Sequence, residues 1–383
     1  MNAAVATAWD VPGQHRAAAV IQRAVAAQEV GHAWAFVGPG GVGQERVARL
    51  LAAALNCTVA GPDRAPCGHC HDCERILRGA HPAYFEFVPT GAFHRVDDVR
   101  DEWLPTAYRT VAEGRAKVLR IVDGDRMNES AANAFLKGLE EPPATTVWIL
   151  DLADPDELPD TILSRCRVVR FAAWGRDDLS AAARDAGLGG PDQELAVRLA
   201  MGSPVTLARL AAAGGLDDLR FHRSILARLR ADGPGFALLA ARALEDEVKR
   251  RTAVLQAAGK TEADELAAVY GGELPRGVAR QVGERQARRE REAKLATLRA
   301  AIDDLVAWCR DAVLVAAGGH AGDVLHVDDF DTLGREAEAI GPRALLGAVD
   351  RLSDVRDNLE LNVGSTLALE AVFLEIASLV RGH

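Results

Sequence analysis

Aromatic residues are scarce in this chain, at 5% of 383 positions, and there are only three methionines. A core built mainly on large rings is thereby excluded, and the abundance of Ala, Leu and Arg predicts a largely helical chain. Positive charge is also in deficit. Lys and Arg number 45 against 55 Asp and Glu, a net charge of −10, with a pI near 5.5. That balance excludes wrapping nucleic acid on a generally basic surface and leaves room only for a local basic patch. Long apolar runs are missing as well. The most apolar stretch, Thr366–Val380, is interrupted by Glu370 and Glu375, so no membrane span is expected. Met1–Asp10 lacks a basic segment followed by an apolar one, so no secretory signal is expected and the predicted location is cytoplasmic. The six cysteines are not spread as a disulfide framework. Four are clustered, which points to a metal site in a reducing compartment.

The length suits two or three domains, each able to bury a core. Over the first ~170 residues short apolar runs alternate with helical patterns, which predicts an α/β fold with a parallel sheet. Strands are expected at Ala35–Val37, Phe85–Val88, Val118–Val122, Val147–Leu150 and Val168–Phe171. After the first strand comes a glycine loop, then a helix with Val47, Leu50, Leu51 and Leu55 on one face. Asn128 is placed to cap a helix over Ser130–Leu139 that stops before Pro142-Pro143. From Trp174 three short helices with Gly-rich joints suggest a small helical domain over 174–214. The rest, 215–383, reads as all helix, with an irregular charged stretch between Lys249 and Lys294, an insert placed at about 245–295.

The loop Gly38-Pro39-Gly40-Gly41-Val42-Gly43 keeps the glycines of a phosphate-binding P-loop in register between strand and helix. Its chemistry is missing. Gln44 stands where lysine would neutralise phosphate, and Glu45 where a hydroxyl would hold Mg²⁺. Glu45 is expected to act as an internal substitute for the anion at the helix N-terminus. Arg46 lies about 100° further round the helix and replaces the lysine poorly. After the third strand, Asp123-Gly124 lacks the second carboxylate of an ATPase acidic pair, with Asp125 one residue out of place; both aspartates fit equally as turn residues. A degenerate P-loop (Gly38, Gly43, Gln44, Glu45, Asp123) without ATP binding is the expectation.

Cys57, Cys67, Cys70 and Cys73 follow a C-x9-C-x2-C-x2-C spacing. Four thiolates close a tetrahedral Zn²⁺ site with no open position, so the expected role is structural. His69 and His71 interleave as competing ligands or exposed residues. Cys166 and Cys309 stand alone and read as small buried apolar residues.

Several of these pieces together resemble one family. Val11-Pro-Gly-Gln14, His32-Ala-Trp34, the four-cysteine insertion, Ala131–Lys137 with Leu139-Glu-Glu-Pro-Pro143, and Leu163-Ser-Arg-Cys166 look like the clamp-loader subunits of bacterial DNA polymerase III, of the AAA+ class. The resemblance covers about 11–214. It implies an AAA+ domain over 1–173 with the zinc module at 57–73, a lid at 174–214 and a collar at 215–383. Gln44, Glu45, Gly124, Leu152-Ala153 and Val205 depart from the hydrolysing members gamma and tau, so the likeness is to the delta-prime type. That type implies no intrinsic ATPase, and partnership with motor and delta subunits in a five-membered ring. The sliding clamp and primed DNA would be met through the complex. In the same family the arginine of Ser164-Arg165-Cys166 reaches a neighbour's ATP, so Arg165 is implied as an arginine finger acting in trans. Two other readings compete: a motor ATPase with an atypical site, and a zinc-containing nucleic-acid-binding module. The segment Arg276–Lys294, with Arg276, Arg280, Arg285, Arg288, Arg289, Arg291 and Lys294 against Glu284, Glu290 and Glu292, reads as a solvated mixed-charge helix or flexible insert, or a contact to DNA or a partner.

Overall fold

The computed structural model describes residues 9–79, 81–89, 93–110, 113–269, 272–274, 276–359 and 365–382. In helices the side chains at 266, 269, 277, 278, 281, 284, 285 and 365 lie outside that description, so the expected charges of Glu284 and Arg285 lie outside the described residues. By compactness the chain forms two units. One comprises Met1–Asp185 and Ala200–Leu207, the other Ala186–Leu199 and Ala208–His383. The segments expected to form a lid at 174–214 are thus shared between them. The Trp174 N–H donates to Gly202 O at 2.8 Å within the first unit, while Arg209 pairs with Asp304 at 2.7 Å within the second.

The first unit is built on five strands, β1 (Ala33–Val37), β2 (Tyr84–Phe87), β3 (Lys117–Ile121), β4 (Thr146–Leu152) and β5 (Arg167–Arg170). Each lies within two residues of its expected place. They form one sheet of order β2-β3-β4-β1-β5, with every pairing parallel. β1 and β4 lie inside the sheet and are buried along their whole length, which accounts for their near-continuous apolar runs. Alternate side chains enter two cores. Trp34, Phe36, Val118 and Ile149 pack with Val47, Leu50 and Leu51, residues of α2 (Gln44–Asn56), which follows α1 (His15–Ala26). Ala35, Leu119, Trp148 and Leu150 face the opposite core, which holds Trp103 and Phe135.

Short helices complete this unit: α3 (His71–Leu77), α4 (Leu104–Tyr108) after a π-helical turn over Asp98–Trp103, α5 (Glu129–Glu140), α6 (Asp160–Leu163) and α7 (Arg176–Asp185). Asn128 caps α5 as expected, its Oδ1 accepting the Ala131 N–H at 2.8 Å. Lys117 is buried in β3 because its ammonium donates to the carbonyl of Thr106 at 2.7 Å and to those of Ala107 and Arg109, satisfying the end of α4.

The second unit is helical, as the pattern predicts: α8 (Gly190–Ala200) and α9 (Pro204–Ala211), shared with the first unit at their ends, then α10 (Gly215–Asp232), α11 (Pro234–Val269), α12 (Arg276–Ala316), α13 (Phe330–Ile340), α14 (Pro342–Asn358) and α15 (Ser365–Arg381). Leu298, Ile302, Leu305, Leu345 and Leu352 are fully buried in its core, with Val349 packed against it. The stretch from Lys249 to Lys294 is not irregular. Apart from a short joint it is the continuation of α11 and α12; its Ala, Leu, Arg and Glu content sustains helix whatever its charge. Among the described residues no helix is long and apolar enough to cross a membrane.

A charged cluster lies inside this helical unit. His222 is 0% exposed. One ring nitrogen meets Asp304 Oδ2 at 2.9 Å and the other Glu247 Oε2 at 3.0 Å. Arg209 also holds Asp304, and Arg251, itself bonded to Asp218, holds Glu247. With both ring nitrogens donating to carboxylates the imidazole is a cation. Burial opposes that charge, but the bonds to Asp304 and Glu247 outweigh it and hold the pKa of His222 above its usual value. The same bonds outweigh burial at both carboxylates and hold their pKa values down. A raised histidine pKa means that its stabilisation is complete below the unfolded-state value and lost as pH rises through the folded one. Depressed carboxylates lose theirs as pH falls through their folded values. Denaturant unfolding against pH should therefore show a maximum between the carboxylate and histidine ranges. His222→Leu should cost about 3 kcal/mol at pH 6 and remove the alkaline limb; an unchanged alkaline limb would show that His222 does not carry it.

Candidate functional site

The glycine loop connects the end of β1 to the start of α2. Gly38, Gly41 and Gly43 have φ of 154°, 77° and 133°, a backbone that side-chain-bearing residues rarely adopt. At Gly38 space is lacking too: a Cβ would lie 2.1 Å from the Phe171 carbonyl oxygen. The loop is thus in the expected place and is pinned between the ends of β4 and β5, with the Gly38 N–H donating to Leu152 O at 2.9 Å.

Its interior is filled by its own side chain. Gln44 is 2% exposed. Its Oε1 accepts the Val42 N–H at 3.1 Å and its Nε2 donates to Pro39 O at 2.6 Å. A carboxamide supplies both an acceptor and a donor, so it satisfies an inward N–H and a carbonyl of the loop at once. Glu45 does not take the expected part of internal anion. It is half exposed and ion-paired with Arg49 one helical turn on, because the first turn of α2 points its side chain outward while Gln44 points in. The loop is also clamped from outside. Trp174 Nε1–H donates to Val42 O at 2.8 Å, and Val205 lies against Gly41, where a Cβ would come within 2.7 Å of its methyl. Gln14 joins the same assembly through paired bonds to the backbone of Ala172.

At the end of β3, Asp123 takes a left-handed backbone with φ of 51°, and burial raises its carboxyl pKa. Gly124 is packed against β4; a Cβ there would sit 3.1 Å from Leu152 Cδ2. Asp125 accepts the N–H groups of Ala153 and Asp154 at 2.8 and 2.9 Å, which ties the turn after β3 to the loop after β4. One feature of this edge escaped the sequence reading. Arg120 of β3 is buried and bridges Asp151 of β4, with Nε–Oδ2 at 2.9 Å, and Glu86 of β2 at 2.8 Å. Burial pushes the Asp151 carboxyl up to about 6 even with the guanidinium holding it down. The alternation of charge with apolar residues on one face of β2, β3 and β4 was the signal available.

Arg165 lies elsewhere. It follows α6 and precedes β5, with its side chain 37% exposed. Nη1 donates to Thr161 O at 2.7 Å and Nη2 meets Glu140 at 2.8 Å. Glu140 belongs to Leu139–Pro143, so two of the motifs that carry the resemblance meet at this ion pair. β5 runs parallel to β1 with Arg167 opposite Trp34. Arg165 therefore stands at the starting edge of the sheet and Gly38 at its finishing edge, six strand positions apart or about 20 Å. Cys166 is partly buried, and burial pushes its thiol up to about 12, which fits an inert apolar role.

The four clustered cysteines come together. All four Sγ atoms lie within 4.8 Å of one another, with Cys67 and Cys73 3.9 Å apart. Sulfurs about 2.3 Å from a tetrahedral zinc would be about 3.8 Å apart, so the donor set fits that ion. Backbone N–H groups of Ala60 and Cys70 point at Cys57 and Cys67, each at 3.3 Å, and such donors favour thiolate. Cys57 ends α2 and Cys70 begins α3, while Trp9 Nε1–H pins the module through Ala65 O at 2.9 Å. His69 and His71 are exposed and outside the cluster.

Residues 13–174 match the family model described as DNA polymerase III, delta subunit. The chain is 40% identical over 137 residues to the DNA polymerase III subunit delta' of Pseudomonas aeruginosa, covering 35% of this chain and 41% of that protein. It is 38% identical over 157 residues to the subunit tau of Salmonella typhimurium, covering 41% of this chain and 24% of that one. Residues 13–174 are thus similar to clamp-loader subunits of DNA polymerase III. The match spans less than half the length of either relative. Among solved structures, a gamma subunit-related protein of DNA polymerase III from Thermotoga maritima aligns over 95% of this chain and 99% of that one, at 16% identity and a TM-score of 0.44.

The filled loop has a measurable consequence. Gln44→Ala removes two buried hydrogen bonds and leaves a void, so equilibrium denaturation should show a loss of about 2 kcal/mol. Glu45→Ala, at an exposed position, should cost under 1 kcal/mol; equal effects would mean that Gln44 does not hold the loop.

Proposed function

We propose that this chain is a clamp-loader subunit of the delta-prime type, which hydrolyses no ATP itself and gives Arg165 to the nucleotide site of a neighbouring motor. One observation carries the reading: Arg165 stands about 20 Å from the chain's own glycine loop, at the opposite edge of a parallel sheet, far beyond the reach of an arginine. A finger so placed serves only a site on another subunit. The chain's own loop is filled by Gln44 and lacks the lysine, the hydroxyl and the second carboxylate that phosphoryl transfer requires. In the assembled ring the guanidinium would leave Glu140 and meet the charge developing on the transferred phosphoryl group, a contact worth about 10³–10⁵ in rate. The reading includes the lid at 174–214, the collar at 215–383, a five-membered ring with gamma or tau and delta, and loading of a sliding clamp onto primed DNA. It also includes a structural Zn²⁺ on Cys57, Cys67, Cys70 and Cys73.

Reconstitution with the motor and delta subunits tests the finger. Arg165→Ala should assemble normally while clamp- and DNA-stimulated hydrolysis falls, the adjacent site slowing by about 10³-fold in single turnover. Wild-type hydrolysis by the assembled variant would sink the proposal. For the metal, elemental analysis should find one zinc per chain, and chelation should lower the melting temperature; an unchanged melting temperature in metal-free protein would remove zinc from its structural role. Identity to tau keeps a motor reading open, and saturable ATP binding by the isolated chain would favour it.

A further inference from the structure

From Lys249 to Lys294 the sequence carries eleven Lys and Arg against seven Asp and Glu, a balance of +4, while the remainder of a chain at −10 carries −14. This excess coincides with a part of the second unit in which no described residue belongs to the core. The last buried apolar residues are Val248 on α11 and Leu298 on α12; among the described residues from 249 to 296 none is buried. Beyond the core the two helices run on side by side as an antiparallel arm about 30 Å long. Polar contacts join them: Gln286 Nε2 donates to Leu255 O at 3.2 Å, Gln256 Nε2 to Glu290 at 2.9 Å, and Arg289 pairs with Glu262 at 2.8 Å.

Some of the charges on this arm are paired internally. Arg288 and Arg289 are ion-paired within it, to Glu292 and Glu262. Arg276, Arg280, Arg291 and Lys294 fall within about 60° of one another round α12 and span about 27 Å along it. All four are exposed, and among the described residues Arg276, Arg291 and Lys294 make no ion pair. A protein partner would need apolar anchors at the centre of its footprint. Among the described residues from 249 to 296 Val254 is the only large apolar side chain that is exposed, and none is aromatic. A phosphate backbone needs only charge at suitable spacing.

We propose that this stripe on α12 binds the phosphate backbone of duplex nucleic acid. A continuous five-turn helical segment with these cations along one side matches a rigid duplex better than a flexible strand. Arginine supplies most of those cations, and its planar fork bonds phosphate in pairs. The site belongs to the helical unit and is independent of the glycine loop and of Arg165.

The test uses the full chain and a 20-base-pair DNA duplex, with binding measured against salt. Four phosphate contacts predict that log K falls with log salt at a slope of about −3 to −4. Replacing Arg276, Arg280, Arg291 and Lys294 by Gln should abolish binding at moderate salt without lowering the melting temperature, and Arg291→Gln alone should flatten the slope by about one. A control with Arg16, Arg64, Arg78 and Arg343 replaced by Gln changes net charge equally and should bind as wild type. The proposal is overturned if wild type fails to bind, if the fourfold arm variant keeps the wild-type slope, or if the control loses as much. Tighter binding to single strands, or equal displacement of the duplex by polyglutamate at matched charge, would also overturn it in favour of another polyanion.

Discussion

Every strand pairing in the sheet is parallel, and the arrangement of the first unit depends on that constraint. Parallel strands need helical crossovers, which bury β1 and β4 between two layers and give each strand a starting edge and a finishing edge shared with its neighbours. The finishing edge collects the glycine loop, Asp123 and the loop after β4, where α/β sheets bind ligands. The starting edge carries Arg165. Chain direction alone therefore separates the nucleotide-type loop from the arginine by the length of a strand.

At the finishing edge side chains hold one another and the loop backbone. Gln44 bonds the loop it sits in, Asp125 bonds the backbone of the loop after β4, and Arg120 holds Glu86 and Asp151 beneath. Gln44 and Asp125 accept N–H groups of the two loops, and Arg120 satisfies one oxygen of Asp151, whose Oδ1 has no partner among the described residues. The starting edge is different in kind. Arg165 is partly exposed and its pairing with Glu140 is solvent-screened, so the exchange of one carboxylate for a stronger anion costs little.

The helical unit divides along another physical line. Around His222 the charges are buried, and each is matched by a partner of opposite sign, so they specify how α9, α10, α11 and α12 meet. Along the arm Arg276, Arg291 and Lys294 are exposed and make no ion pair among the described residues. The same two helices thus change from core to surface at Val248 and Leu298, where apolar residues cease to recur at helical spacing.

Much of this was legible in the residues. Apolar runs located the five strands, the glycines located the loop, Asn128 marked the start of α5, and cysteine spacing predicted a four-sulfur cluster, because each of these signals is local to a few positions. The loss of lysine and hydroxyl at Gln44 and Glu45 was equally plain. What Gln44 does instead was decided only by the fold, since the inward direction of the first turn of α2 depends on how β1 delivers the loop. The joining of Glu140 to Arg165, the burial of Arg120 between two carboxylates and the pairing of His222 with Asp304 and Glu247 link positions 25 to 82 residues apart, and no local pattern encodes them. The charge of the stretch from Lys249 to Lys294 suggests irregularity, but its helix-forming composition decides its structure. Local chemistry thus determined which elements form and which groups are missing; only tertiary packing decided which groups meet, because strand direction and helix contact are set by burial over the whole chain.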